Sequence, residues 1–156
     1  MIKTLLKQTV KDVVVNNFNM DSSDIRVKQL RKTERAFKRA YGVDTEVKYI
    51  DVKYKKYVTR PSVNGYHNGS KGHIVVFVDG DLRKNTVTLL HELTHAYQKK
   101  YMTIQFNASR YALANNKVSY RDSWHEVHSR HCADILALGY IGKIDLRYAM
   151  DYTVAA

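Results

Sequence analysis

The chain has 156 residues with 26 Lys and Arg against 15 Asp and Glu, a formal net charge of +11. That length suits one domain with a real core, and no apolar run approaches the roughly 20 residues a membrane-spanning helix needs. A single cysteine, Cys132, excludes an internal disulfide, while the positive surplus attracts polyanions and suggests a nucleic acid such as DNA nearby, a solvated basic surface being the alternative.

Ile2, Leu5, Leu6, Thr9, Val10, Val13 and Val14 recur at helical spacing, which predicts a first helix to about Asn16 with this stripe packed on the core. Lys3, Lys7, Lys11 and Asp12 interrupt the segment, so it does not read as a signal peptide, and a reducing cytoplasmic setting is expected (the host cytosol for a phage-encoded chain). Asp21-Ser22-Ser23-Asp24 supplies N-cap residues for a second helix, about Ile25 to Tyr41, stopped by Gly42. Val27, Leu30, Phe37, Ala40 and Tyr41 are its predicted inner residues. Arg26, Lys28, Arg31, Lys32, Arg35, Lys38 and Arg39 form a basic outer face, the best candidate surface for a polyanion.

From Asp44 to about Arg60 the pattern turns to alternation, with a phase slip at Tyr49-Ile50 that predicts a bulge or two strands. Its interleaved tyrosines and lysines suit base stacking and phosphate contact as well as a half-exposed strand. Pro61–Gly72 reads as a turn-rich connection containing His67, a surface histidine unless the loop borders a cleft. Ile74-Val75-Val76-Phe77-Val78 is the most apolar strand, expected at a sheet edge where an extended peptide pairs.

Leu89-Leu90-His91-Glu92-Leu93-Thr94-His95 follows, on a helix predicted from Asn85 or Thr86 to about Tyr101. Residues four apart share a helix face, so His91 and His95 can turn two imidazoles to one ion, with Glu92 beside them. Zinc is the expected metal: it lowers the pKa of a water towards neutrality, and a neighbouring carboxylate accepts the proton as a carbonyl is attacked. Glu92 is the predicted catalytic base. A helix over Thr103–Lys117 is predicted, with Phe106, Tyr111, Ala112 and Leu113 inside; then a polar linker, Ser119–Ser123, and a last helix from Trp124 to Tyr140.

A catalytic zinc takes three protein ligands. The third is sought in Trp124-His125-Glu126-Val127-His128-Ser129-Arg130-His131-Cys132-Ala133-Asp134. At about 100° per residue Glu126 and His128 lie on opposite sides of this helix. His128 shares its side with Trp124, Cys132 and Ile135, so periodicity favours His128 as ligand and leaves Glu126 as the alternative. Ser123 and Glu126 are also spaced as a capping box, which offers Glu126 a structural role. His125 and His131 read as solvated, and Cys132 as a small buried residue.

The order helix, short sheet, apolar strand, His91-Glu92-Leu93-Thr94-His95-Ala96-Tyr97-Gln98, then a later helix with His128-Ser129 and Leu138-Gly139-Tyr140, resembles the SprT-like (Spartan-type) zinc metallopeptidases. Cys132 stands where that family carries Phe or Trp, and the separation from His95 to His128 is long. A second resemblance, to ImmA/IrrE-like gluzincins, rests on Glu126, Ser129 and Ala133 and implies Glu126 as third ligand, although His128 replaces that family's second acidic position. Either resemblance covers roughly Val43 to Tyr140 and implies an α+β minimal zincin fold with N-terminal helices, a small twisted sheet and two helices supplying the metal site, while the length makes 1–156 one domain. Either implies zinc-dependent hydrolysis of a protein or peptide, with an oxyanion-stabilising Tyr or His among Tyr66, His67 and Tyr97. The rival of another class is a basic nucleic-acid-associated protein whose zinc is structural.

Overall fold

The computed structural model describes residues 1–152 and is an α+β fold. Helices α1 (Ile2–Asn17) and α2 (Ile25–Tyr41) lead into β1 (Glu46–Asp51), a 3₁₀ segment (Val52–Tyr57), β2 (Gly65–Asn68) and β3 (His73–Val78). Helices α3 (Leu82–Tyr101), α4 (Thr103–Ala114) and α5 (Trp124–Ile135) follow, then a π turn (Leu136–Tyr140) and a 3₁₀ segment (Leu146–Asp151). No helix among the described residues is long and apolar enough to cross a membrane.

The sheet has the order β1-β3-β2, with β1 parallel and β2 antiparallel to β3. The apolar strand β3 is therefore central, and the expectation that it forms an edge is corrected. Its six buried residues explain why: a strand covered on both faces and paired on both sides can carry a continuous apolar run. The edge beside α3 is β2, a four-residue strand inside the segment read as turns. Its Gly-Tyr-His-Asn sequence carries no apolar alternation, so pairing with β3, rather than local pattern, makes it a strand.

One face of the sheet (Val47, Tyr49, Ile74, Val76, Val78) packs on α2, α3 and α5 in the main core. The other (Ile50, Val75, Phe77) is covered by Val14, Val15 and Val58. This double cover accounts for the phase slip at Tyr49-Ile50. Both residues are buried, one on each face, within a single strand.

Two helices differ from expectation in what they bury. In α1 only Val14 and Val15 are buried, while Ile2 (74%), Leu5 (67%) and Leu6 (61%) stand in solvent with Val10 and Val13. The sheet face is short, so the last turn of α1 suffices to cover it. In α2 the caps are as predicted: Asp24 accepts from the Arg26 N–H at 2.9 Å, and Gly42 takes the left-handed conformation (φ 65°). Ala40 is exposed, and Glu34 is buried in its row. Glu34 accepts from Arg31 (2.6 Å), Lys38 (2.7 Å) and the Tyr49 hydroxyl (2.9 Å). Two cations of the predicted basic face thus hold an internal carboxylate, and Lys28, Lys32, Arg35 and Arg39 remain as its exposed members.

Candidate metal centre

Helix α3 begins a turn earlier than predicted, because Asp81 rather than Asn85 or Thr86 caps it, accepting from the Lys84 N–H at 3.1 Å. Asn85 is buried and fastens the strand-to-helix turn through the backbone of Asp79, at 3.0 and 3.2 Å. Leu89, Leu90 and Leu93 anchor α3 in the core, which turns His91 and His95 together towards α5 with ring centroids 4.8 Å apart.

Glu126, in the first turn of α5, meets them. One carboxylate oxygen lies 3.0 Å from His91 Nε2 and the other 2.9 Å from His95 Nε2. The ligand-type atoms of His91, His95 and Glu126 all lie within 4.8 Å of one another, and the group could hold a metal ion. Two imidazoles and a carboxylate fit the donor preferences of a divalent transition metal. A tetrahedral site with bonds of about 2.0–2.1 Å sets its ligand atoms roughly 3.3 Å apart, close to these separations. Burial pushes the Glu126 carboxyl up, but the hydrogen bonds from His91 and His95 together outweigh it and hold the group well below the usual carboxylate range. For His95, burial disfavours the imidazolium, and the Glu126 hydrogen bond with the nearby Glu92 charge reverses the balance, raising its pKa.

His128 stands outside this group. Its Nδ1 accepts from Gln98 Nε2 at 2.8 Å, its Nε2–H donates to the Leu146 carbonyl at 2.7 Å, and its ring stacks on Trp124. Both ring nitrogens are committed to the interior, and it is Glu126, the alternative to His128, that meets His91 and His95. Periodicity located the core side of α5 and assigned the ligand to it. In fact the N-terminal half of α5 is enclosed nearly all round, with His125, Glu126, His128 and Ser129 all buried, so burial could not discriminate. The capping-box role of Glu126 is not taken up either: Ser123 makes no side-chain cap and donates its hydroxyl to the Tyr120 carbonyl at 2.7 Å.

Gln98, fully buried, sets the orientation of His95. Its amide nitrogen donates to the His125 carbonyl (3.0 Å) and to His128, so its oxygen faces His95 Nδ1 at 2.9 Å as an acceptor. His95 Nδ1 is thereby fixed as a donor, and Nε2 is left to turn towards Glu126. Such partners typically change metal affinity about 10–100-fold. Gln98→Leu is expected to weaken metal binding by that factor and to cost about 2–4 kcal/mol of stability through unpaired buried groups. Isothermal titration and thermal melts of the metal-free protein check the two effects separately.

The remaining histidines divide. His125, expected in solvent, is buried, with Nδ1 2.6 Å from the Ser109 hydroxyl and a pKa lowered to about 4, chiefly by burial. His131 meets the Tyr152 carbonyl at 2.8 Å. Cys132 is buried 3.5 Å from His128 Nε2, and burial pushes its thiol up to about 12.

No protein-family profile, curated protein or solved structure matches the chain.

Glu92 is buried beside the group, and burial raises its pKa; the charges of His95 and His91 act in the opposite direction. Strand β2 runs hard against it. A Cβ on Gly65 would stand 2.8 Å from Thr88 Cγ2 and 3.5 Å from Glu92 Cγ, so only glycine admits this approach. His67 is brought beside the Glu92 carboxylate by β2. Its side-chain pKa is lowered to about 4 by burial, then by the neighbouring His95, Lys99 and Arg110 charges.

Of the other predicted candidates, Tyr66 lies on the opposite sheet face against Phe77, and Tyr97 packs with Tyr41 and Tyr101. Tyr120, in the segment read as linker, was missed. Tyr120 is 61% exposed as a residue, but its phenol is turned to the Glu126 carboxylate; loss of water around that hydroxyl, then the Glu126 and Glu92 charges, raise its pKa and keep it a donor. A lone tyrosine among polar turn residues gives no sequence signal for that position.

Proposed function

We propose that this protein is a zinc-dependent peptidase with Glu126, rather than His128, as the third metal-binding residue. The observation that carries the reading is the convergence of His91, His95 and Glu126 beside the buried carboxylate of Glu92. A purely structural site has no use for a second, unligated carboxylate next to the ion. The donor set fits zinc, which when bound supplies a Lewis acid able to polarise a carbonyl and to make water a nucleophile near neutral pH.

The chain's own residues do the rest. His91, His95 and Glu126 hold the ion, and Gln98 fixes the direction of the His95 ring. Glu92 accepts the proton from the attacking water and returns it to the departing amine. Burial raises the Glu92 pKa, making it a stronger base than an exposed carboxylate once ionised. Tyr120 donates its phenolic proton in a hydrogen bond to the developing negative charge. An extended peptide pairs along β2: in the antiparallel register Asn64, Tyr66 and Asn68 face β3, which leaves the backbone groups of Gly65 and His67 turned to the free edge beside Glu92. The test is cleavage of an unfolded protein with and without zinc, alongside the Glu92 variant described below.

The net charge of +11 supports DNA as an accompanying partner. Binding should be measurable at low salt and fall steeply as salt rises. Charge reversal at Lys28, Lys32, Arg35 and Arg39 is expected to reduce the affinity at least tenfold with an unchanged melting temperature. Reversal of Arg31 and Lys38 instead destabilises the protein by stranding Glu34. Fluorescence anisotropy over a salt series reads the first effect; absence of binding at low ionic strength removes DNA from the proposal.

A further inference from the structure

A cleft of about 450 Å³ opens at the far end of β2, lined by Lys11, His67, Gly69, Lys99 and Arg110 among others. Three cations from three helices converge on it, and no carboxylate lines it. None of the three is ion-paired among the described residues. Lys99 donates to the Gly69 carbonyl at 2.7 Å, Lys11 lies over the Tyr66 ring at 5.1 Å and Arg110 over the Phe106 ring at 5.7 Å. Asp12, the chain neighbour of Lys11, is held by Lys71 at 3.1 Å. The position a Cβ would occupy on Gly69 is 3.1 Å from Lys99 Nζ and 3.7 Å from His67 Cε1, so cation and imidazole border the same space.

We infer that this cleft is a subsite for an acidic side chain of the substrate. The inference rests on the peptidase reading and adds a specificity to it. Helix α3 and strand β2 run side by side in the same direction, Gly65 beside Glu92 and Gly69 beside Lys99. From Glu92 to Lys99 is seven helical residues, about 10.5 Å, which an extended chain covers in about three residues. A peptide pairing antiparallel to β2 enters from the Lys99 end. The acidic side chain then lies about three residues to the N-terminal side of the bond held at Glu92. Three cations gathered in one short cleft suit a single carboxylate, whereas a nucleic-acid strand needs a charged track along the surface.

The experiment has a binding arm and a cleavage arm. In the first, zinc-loaded Glu92→Gln protein is titrated with blocked, labelled decapeptides in which one Glu, or Gln in its place, is moved along the sequence. The expected result is roughly tenfold tighter binding of the Glu peptide at one position, a preference that shrinks with salt and collapses in Lys99→Met/Arg110→Met. Both side chains are on exposed residues, and a melt of the double variant verifies its fold. In the second arm wild-type protein is incubated with the same peptides and the cut position is mapped. Glu preference without cleavage keeps the anion subsite and overturns the peptidase reading. Cleavage with equal use of Glu and Gln peptides, or a preference unaltered in the double variant, overturns the subsite and leaves the peptidase. Lack of binding by every peptide, or loss in the double variant of affinity for a single-stranded decanucleotide alone, also overturns it.

Discussion

Glu126→Gln is expected to reduce zinc affinity by more than roughly 100-fold, while His128→Gln retains one equivalent of zinc and loses stability instead. A carboxamide is neutral and a poor ligand beside two imidazoles, and groups that merely orient a ligand already account for about 10–100-fold. His128 is bonded at both ring nitrogens, to Gln98 and Leu146, so its replacement strands a buried donor and a buried acceptor. That costs about 2–4 kcal/mol, several degrees or more of melting temperature for a chain this size. The double variant His91→Ala/His95→Ala should bind no zinc. Metal analysis and melts with and without zinc separate the outcomes. Zinc affinity should also fall as pH drops, and the raised pKa of His95 makes proton competition for its imidazole begin above the ordinary histidine range. Full zinc content in the Glu126 variant and its loss in the His128 variant would reverse the assignment.

Glu92→Gln is expected to keep the fold and the zinc and to lower the rate of peptide cleavage by at least the 10²–10⁴-fold typical of general-base assistance. The amide matches the carboxylate in shape and can still hydrogen-bond a water, but it takes up no proton near neutral pH. Loss of the proton return to the leaving amine deepens the deficit. Glu92 does not belong to the ligand group, so zinc content should stay at one equivalent. Turnover of an unfolded substrate by wild type, variant and chelated protein, with zinc measured in parallel, decides the point. Near-wild-type cleavage by the zinc-loaded variant would remove Glu92 from the mechanism.

Much of the frame was legible from local chemistry. The α+β class, α2 between Asp24 and Gly42 and the apolar β3 follow from capping residues and from hydrophobic runs, which act over a few neighbours. The pairing of His91 with His95 is likewise local, because four residues on a helix make one turn whatever surrounds it. The exposed stripe of α1 marks where such reasoning ends. Amphipathic spacing says that a helix has an apolar face, while the area available to cover that face is a property of the sheet.

Which residue joins His91 and His95 was decided by tertiary structure alone. Glu126 and His128 both have the chemistry to ligate, and both are buried on α5. What separates them is distant in sequence: the Leu146 carbonyl and Gln98 on α3 satisfy His128 and hold it away from His91 and His95. The short strand β2 was hidden for the same reason. Its hydrogen bonds are made with β3 and its glycine is required by a side chain on α3, neither of which is encoded within its four residues. The sequence by itself determined which residues can bind a metal and move a proton. Which of them meet was settled by how α3, α5 and β2 pack, since a buried polar group goes to whichever partner the packing brings within hydrogen-bonding distance.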